Sequence, residues 1–327
     1  REIPIPKKDG SIRILKVPTM SDRAWQCHVK NAIEPAHEAG FNARSYGFRP
    51  GRSTHDAQKL IFLNLKSTAN GREKRILELD IEKCFDKIDH KFLMQSVQLP
   101  KAAKSGLFKA IKAGVRGEFP SSESGTPQGG VISPLLANLV LHELEDLGIK
   151  YTKSGKEKRG QTRGFRYADD VVYILQPNED AGAFRVRIDD FLASRGLKVK
   201  EAKTKLVHST DGFDFLGWHL KVKPNGKFLS TPSLASYRQI KDRVKETMKD
   251  NRFNLERRIT KCGLIVRGWR NYHKFCDIFE LHHIDGDCLN QKRTNMEILH
   301  RGCHQHQSIH REVRVRKAVN AVRVAVN

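Results

Sequence analysis

The sequence predicts a mixed chain of strands and helices in three parts, and three observations carry that expectation. Up to about residue 215, short apolar strands alternate with amphipathic helices. Residues 233–275 keep helical spacing and are dense in Lys and Arg, and residues 279–310 are dense in His. Such an order suits a mixed α/β catalytic domain, then a helical domain, then a small His-rich module.

Taken in order, residues 1–20 read as a hairpin: Ile3 and Ile5, the turn Lys8-Asp9-Gly10-Ser11, then Ile12, Ile14 and Val17. Helical spacing follows over 21–39, with Ser21 as its expected N-cap. Tyr46-Gly47-Phe48-Arg49-Pro50-Gly51-Arg52-Ser53 is a loop set by Gly and Pro, and Thr54 is expected to cap the next helix. Residues 75–81 read as a half-buried strand, 125–133 as a second Gly/Pro loop, and 134–147 as a helix with an apolar stripe. Two apolar runs, 164–167 and 171–175, flank Ala168-Asp169-Asp170, which predicts a hairpin with the acids at its turn. From Arg311, Val or Ala alternates with Arg, a pattern shared by edge strands and disordered tails.

Charge is the loudest bulk signal. Sixty Lys+Arg face 37 Asp+Glu, for a formal +23 and a pI near 9.9. That excess repels itself unless a polyanion offsets it, which points to nucleic acid. No run of about 18 apolar residues is present, which excludes a membrane-spanning helix. The six cysteines are scattered with no CxxC pair, so a disulfide framework is excluded and a reduced cytosolic compartment fits. Length suits two or three domains. The chain opens at Arg1 in what reads as mid-domain sequence, so further residues are expected ahead of it.

The acids at the expected hairpin turn carry the chemistry. Adjacent carboxylates between apolar strands repel each other and are costly to desolvate, and a cation reverses that cost. Magnesium takes oxygen ligands, commonly one or two carboxylates plus substrate phosphates. Two such ions about 3.5–4 Å apart can clamp the attacking and leaving oxygens of a phosphoryl transfer. A third acid must then come from a neighbouring strand, and Asp80 at the end of the 75–81 strand is the best placed. Read alone, Asp169-Asp170 is equally an ordinary turn, since Asp is a common turn residue. Asp86 and Asp89 fall past the strand and read as capping or surface acids.

These residues also carry a resemblance. Tyr167-Ala168-Asp169-Asp170 resembles the YADD box of reverse transcriptases. Asp80-Ile81-Glu82-Lys83-Cys84-Phe85-Asp86 is similar to their first carboxylate motif. Gly125-Thr126-Pro127-Gln128-Gly129-Gly130-Val131-Ile132-Ser133-Pro134 is similar to their template-primer loop. Gly196-Leu197, Lys203-Thr204-Lys205 and Phe215-Leu216-Gly217-Trp218 resemble the closing motifs, and the 46–53 loop resembles the fingers-palm block of the group II intron branch. Order and spacing agree over residues 1–218, and the nearest match is a group II intron-encoded reverse transcriptase and maturase.

The resemblance implies an α+β right-hand polymerase with fingers, a palm built on an antiparallel sheet and a helical thumb. Asp80, Asp169 and Asp170 would hold two Mg2+ ions. Lys7 and Arg13 match fingers cations on the incoming triphosphate. Phe85 matches the residue that packs under the sugar, or else is a core Phe. Gln128 matches the loop that braces the templating base, and Lys203 the lysine that faces phosphate, or else a solvated lysine. Arg49 and Arg52 in the loop, and Arg267, Trp269, Arg270 and Tyr272 in the helical stretch, are candidates for nucleic-acid contact. Trp269 and Tyr272, three apart, suit core packing equally well.

His282-His283-Ile284-Asp285, then Asn295, then His300 and Cys303-His304, resembles an HNH nuclease. By that resemblance His283 is the general base, His282 and His304 are metal ligands, and Asn295 orients the base or binds metal, with one Mg2+ in a small ββα-metal module. A structural Zn2+ would need the Cys-x-x-Cys pair the family carries; only Cys276 stands near, so a segment between about 276 and 280 is expected to be missing. The alternative is a decayed nuclease. The expected domains are 1–218 (fingers and palm), 219–278 (helical thumb or maturase), 279–310 (HNH-like) and 311–327 (basic tail). Implied partners are intron RNA, target DNA and deoxynucleoside triphosphates, without a membrane, in a bacterial cytoplasm or an organellar nucleoid. The competing functions are a splicing cofactor without polymerase activity and a stand-alone reverse transcriptase of a retron-like element.

Overall fold

The computed structural model describes residues 2–6, 12–112, 125–126, 129–154, 158, 160–274, 279–283 and 296–300. The chain divides into two compact units, 1–216 with 220–229, and 217–219 with 230–327.

The first unit begins with the expected hairpin: β1 (Glu2–Pro6) pairs antiparallel with β2 (Ile12–Lys16), Glu2 opposite Lys16. Helix α1 (Met20–Gly40) follows, and Thr19 caps it rather than Ser21. Thr19 has an acid three residues on, and the two close a reciprocal capping box, with Thr19 Oγ1 2.6 Å from an Asp22 carboxylate oxygen; Ser21 has only Ala24 there. The same rule moves the next cap. Helix α2 (Thr54–Leu65) is capped by Ser53, whose box partner is Asp56, whereas Thr54 would face Ala57.

Strand β3 (Arg75–Asp80) leads into three short or medium helices, α3 (Cys84–Lys87), α4 (His90–Ser96) and α5 (Lys101–Lys112). Asp89 caps α4, its carboxylate accepting from Phe92 N at 2.6 Å, as expected of an acid just past the strand. Helix α6 (Ser133–Val140) ends seven residues earlier than 147. Glu143 takes a left-handed φ of 74°, and a single 3₁₀ turn at Leu144–Asp146 buries Leu144 and Glu145. That bend has a purpose, because it turns Glu145 toward the sheet.

Strands β4 (Arg163–Tyr167) and β5 (Asp170–Leu175) form the expected hairpin; α7 (Ala181–Ala193) and β6 (Lys205–His208) complete the layer. The sheet runs in the order β4-β5-β3-β6, and every adjacent pair is antiparallel. After its first residue β5 is buried throughout, as befits a strand covered on both faces. Leu77, Leu79, Val171, Tyr173 and Leu175 join one continuous core with Ile33, Leu93, Leu107, Leu136 and Ile188 from the helices. Phe165, Ile76 and Ile174 are buried on the opposite side, where α2 packs against β4.

Three strands, β7 (Phe213–Phe215), β8 (Trp218–Val222) and β9 (Phe228–Pro232), form a second sheet in that order, and the division between the units falls within it. The second unit contains α8 (Leu234–Lys249) and α9 (Leu255–His273), which lie against each other. It also contains a two-stranded antiparallel ribbon of β10 (Phe279–His283) and β11 (Met296–His300), His283 opposite Met296. Among the described residues no helix is long and apolar enough to cross a membrane.

Candidate active site

The sheet register brings the expected acids together. Antiparallel pairing of β3 with β5 sets Asp80 directly opposite Asp170, the last pair of that ladder. Pairing of β4 with β5 closes on Tyr167 and Asp170, leaving Ala168 and Asp169 as a two-residue turn. Ala168 holds φ at 58°, a conformation that costs a non-glycine residue free energy and needs support from its surroundings.

That support comes from two sides. The first is the 44–47 stretch, which runs beside β4: Arg166 N donates to Arg44 O at 3.0 Å and Tyr46 N donates to Arg166 O at 2.9 Å. Gly47 then lies against the turn so closely that a Cβ there would sit 2.3 Å from Ala168 N and 2.9 Å from Tyr167 C. Both are backbone atoms, so nothing can yield cheaply. Gly47→Ala is expected to displace the turn and lower magnesium-dependent primer extension by roughly a hundredfold, the scale of a 1 Å misplacement. Primer extension beside thermal melting checks this; unchanged activity would show that the turn is set elsewhere.

The second support is Arg166, whose side chain is fully buried. All five guanidinium hydrogens find acceptors. Nε donates to Glu145 Oε2 at 3.0 Å. Nη1 donates to Asn138 Oδ1 at 2.8 Å and to Ala168 O at 3.2 Å. Nη2 donates to Ser45 Oγ at 2.7 Å and to Glu145 Oε1 at 3.5 Å. Asn138 in turn donates to Gly47 O at 2.8 Å. One buried cation thus ties the acid-bearing turn to α6, to the bend after it and to the 44–47 stretch. Arg166, Glu145, Asn138 and Ser45 belong to no motif read from the sequence, although a signal existed: Arg166 and Asn138 interrupt otherwise apolar strand and helix faces.

Lys203 reaches the same cluster. Beyond α7, residue 196 takes φ of 74°, and a Cβ there would lie 2.9 Å from Lys87 O, so glycine is required. The chain then pairs with the end of β3, Ile81 bridging Val199 and Lys200 N donating to Asp80 O at 2.7 Å. A 3₁₀ turn at Glu201–Lys203 sets Lys203 Nζ 2.5 Å from Asp80 Oδ2. Its hydrogen bond to Asp80 raises the lysine pKa. Burial, then repulsion from Asp169 and Asp80, raises Asp170 to about 6, and Lys203 opposes the rise. The residue is nonetheless exposed to solvent at the open end of its strand, so a cation can reach it. Burial first, and then Asp169, pushes the nearby Cys84 thiol up to about 12, so it stays protonated.

This donor set suits magnesium. Three carboxylates are hard oxygen ligands, and their mutual repulsion is what a dication would relieve. Among the described residues no three acidic, His or Cys side chains are gathered as a finished metal cage, and the Lys203 ammonium pairs with Asp80 instead. The raised value at Asp170 has a thermodynamic consequence. The folded state holds this proton more tightly than an unfolded chain with the ordinary 3.8. The stabilisation is therefore full below about 3.8 and is lost as pH rises through about 6. Without metal, the melting temperature relative to Asp170→Asn is expected to fall across that window, and magnesium to remove the fall. A difference between the two proteins that stays constant with pH would contradict it.

The family model described as "Reverse transcriptase (RNA-dependent DNA polymerase)" matches residues 5–220, more than half of the chain and all of this site. The chain belongs to the reverse transcriptase family. A second model, for the group II intron maturase-specific domain, matches residues 237–312. Maturase-like protein 1 of Euglena longa is 31% identical, over 90% of this chain and 61% of that protein. Protein YkfC of Escherichia coli K12 is 35% identical, over 67% of this chain and 66% of that protein. Group II intron-encoded protein LtrA of Lactococcus lactis subsp. cremoris is 28% identical, over 69% and 47%. The chain thus spans 47% to 66% of the length of these relatives. A solved telomerase from Candida tropicalis, truncated from its C-terminal domain, is similar with a TM-score of 0.48 at 14% identity, over 70% of this chain and 54% of that one.

The remaining expected contacts of this reverse transcriptase differ in where they fall. Phe85 is half-buried at the core margin and meets the exposed Phe48 edge-on, ring centroids 6.2 Å apart. Arg52, Arg267 and Arg270 are exposed. Arg49, expected on nucleic acid, is instead consumed inside the fold: its guanidinium pairs with Glu38 at 2.6 Å and donates to Ser45 O at 2.7 Å and to Asn42 O. Trp269 and Tyr272 pack within their own unit. Tyr272 stacks on the buried Trp218 at 4.5 Å and 17°. Trp269 lies 4.7 Å from the His273 ring and donates Nε1 to Ser236 Oγ at 3.0 Å. Packing, the reading left open for this pair, describes these contacts. Lys7, Gln128, Asn295, His304, Cys276 and the 311–327 tail lie outside the described residues. Arg13 falls in β2, and His282 and His283 fall in β10, by backbone alone.

Proposed function

We propose that this reverse transcriptase is an RNA-directed DNA polymerase of a group II intron ribonucleoprotein, copying intron RNA from a DNA primer. The observation that supports it most is the in-register pairing of Asp80 with Asp170 beside the Asp169 turn. In this reaction the primer 3′-oxygen forms a bond to the α-phosphorus of a deoxynucleoside triphosphate, its proton passes to solvent, and pyrophosphate departs. Two magnesium ions bound by the acids would supply the positive charge that clamps the attacking and leaving oxygens. Asp80, Asp169 and Asp170 hold that charge in place. Lys203 lies where it can answer phosphate once Asp80 is engaged elsewhere, and Phe85 offers an apolar surface to the sugar.

Splicing assistance is the second role in this proposal, supported by the maturase-specific match over 237–312. Nicking of target DNA by 279–310 is the third. The order His282-His283, Asn295, His304 and the antiparallel ribbon of β10 with β11 favour it, with one magnesium and a structural zinc as its metals.

The test is primer extension on a primed RNA template with magnesium, with supercoiled target DNA included to report nicking. Extension, together with tight salt-resistant binding to one structured intron RNA, is the expected result. Such RNA binding without extension would favour a splicing cofactor alone, and extension without selective binding a stand-alone enzyme. Intact supercoils would remove the nuclease role.

A further inference from the structure

One residue beside the acid-bearing turn holds its ring in solvent on a backbone that disfavours it. Phe48 takes φ of 62° and is 48% exposed. That left-handed region suits glycine and asparagine and is costly for a bulky side chain. A half-exposed ring also gains less from burial to offset the cost. Its neighbours fix its position. Gly47 O accepts from Asn138 Nδ2 at 2.8 Å, and Gly47 lies against the backbone of Tyr167 and Ala168. On the other side the Arg49 guanidinium is held by Glu38 and by Ser45 O. Phe48 is the one exposed residue of 44–49, between segments that cannot shift.

The ring has a partner from a different element. It meets Phe85 edge-on, centroids 6.2 Å apart at 73°, within the range where aromatic pairs attract. Phe85 lies in α3, just past the strand that ends at Asp80. Its backbone is pinned, because Thr126 N donates to Phe85 O at 2.6 Å. Its side chain is half-buried against the core. What remains free is the tilt of the ring at its outer margin, and Phe48 occupies that margin. The step from Gly47 to Phe48 therefore links two parts that must keep a fixed relation. Gly47 touches the turn that carries Asp169, and Phe48 touches the apolar wall beside it.

We infer that Phe48 is a positioning residue for sugar selection: its ring braces Phe85, so that Phe85 cannot tilt aside for the 2′-hydroxyl of a ribonucleotide. The inference rests on the polymerase reading, in which Phe85 faces the sugar of the incoming nucleotide. A wall discriminates between two sugars that differ by one hydroxyl only if its own rotamer is locked by what packs behind it. The strained backbone fits this role. Glycine or asparagine at position 48 would relieve the strain and leave Phe85 without its support, and the chain keeps the ring instead.

The test traps the full chain on an RNA template with a dideoxy-terminated DNA primer, in magnesium, using the next complementary deoxynucleoside or ribonucleoside triphosphate. Trapping reads nucleotide binding without turnover, and the ratio of the two half-maximal concentrations reads sugar selection. Phe48→Asn and Phe48→Gly suit the left-handed backbone and remove the ring, and melting curves confirm that they are folded. Each is expected to lower the preference for the deoxynucleotide roughly tenfold. Phe48→Tyr, which keeps the ring, is expected to hold the wild-type ratio. In a Phe85→Ala background there is no ring to brace, and Phe48→Asn is expected to change the ratio no further. An unchanged ratio in Phe48→Asn and Phe48→Gly overturns the inference. So does a tenfold loss that persists without Phe85, which would make Phe48 a contact of the nucleotide itself. A wild type that traps neither triphosphate, or both equally, overturns it as well. Selective trapping that Phe48→Asn abolishes, without extension of a primer bearing a free 3′-hydroxyl, would refute the polymerase reading while supporting the role of Phe48.

Discussion

Asp169→Asn/Asp170→Asn is expected to lose at least roughly a thousandfold of magnesium-dependent primer extension while template RNA binds as before. The size follows from what a metal supplies at a phosphoryl transfer, several kcal/mol, at about 1.4 kcal/mol per tenfold in rate. Asparagine keeps the shape of the side chain and removes the charge. The same substitution is therefore expected to raise the melting temperature of the metal-free protein above pH 6, because Asp170 is held at about 6 by burial and by its like-charged neighbours. Opposite signs for activity and stability distinguish lost metal chemistry from damaged folding. Residual extension near the wild-type level would remove these acids from the mechanism, and a less stable variant would mean that their repulsion is already compensated.

Arg166→Met carries the largest expected cost to the fold. It leaves Glu145, whose side chain is fully buried, without its cation, and breaking one partner of a buried pair typically costs about 3–5 kcal/mol. At roughly 2–4 °C per kcal/mol for a unit of this size, the melting temperature should fall by about ten degrees. Arg166→Lys should rescue little, since one ammonium cannot span Glu145, Asn138, Ser45 and Ala168 O together. Arg166→Met/Glu145→Gln removes the orphaned charge and should recover part of the stability without restoring extension, because Ala168 O still lacks its donor. Recovery of activity in the double variant would show that Arg166 matters only as a counter-ion. Thermal melting and primer extension on the same four proteins decide it.

The acids were legible because their information is local: a hairpin written in two apolar runs, and a strand ending at Asp80. Helix starts were also legible, but only by the complete rule. Reading Ser21 and Thr54 as caps used the side chain and ignored the acid three residues on, which selects Thr19 and Ser53 instead. What escaped was encoded between distant residues. Arg49 carries the same charge as Arg52, four residues from a Ser whose carbonyl it meets, and only the position of Glu38 on α1 draws it inside. The end of α6 was hidden for a similar reason. Apolar spacing continues past Val140, yet Leu144 O accepts from Tyr173 and Glu145 from Arg166, and those bonds outweigh further helical turns.

The stretch 44–46 that hydrogen-bonds along β4 also decides how the sheet meets other molecules. A strand at the margin of a sheet ordinarily offers unpaired amides and carbonyls as a template for a foreign strand. Here the backbone of Arg44 and Tyr46 already satisfies Arg166 on that side. The opposite margin, β6, is four residues long and begins with an exposed lysine, a length and charge that discourage recruitment. At high concentration, therefore, strand exchange and fibre growth are least able to begin at the hairpin that bears Asp169 and Asp170.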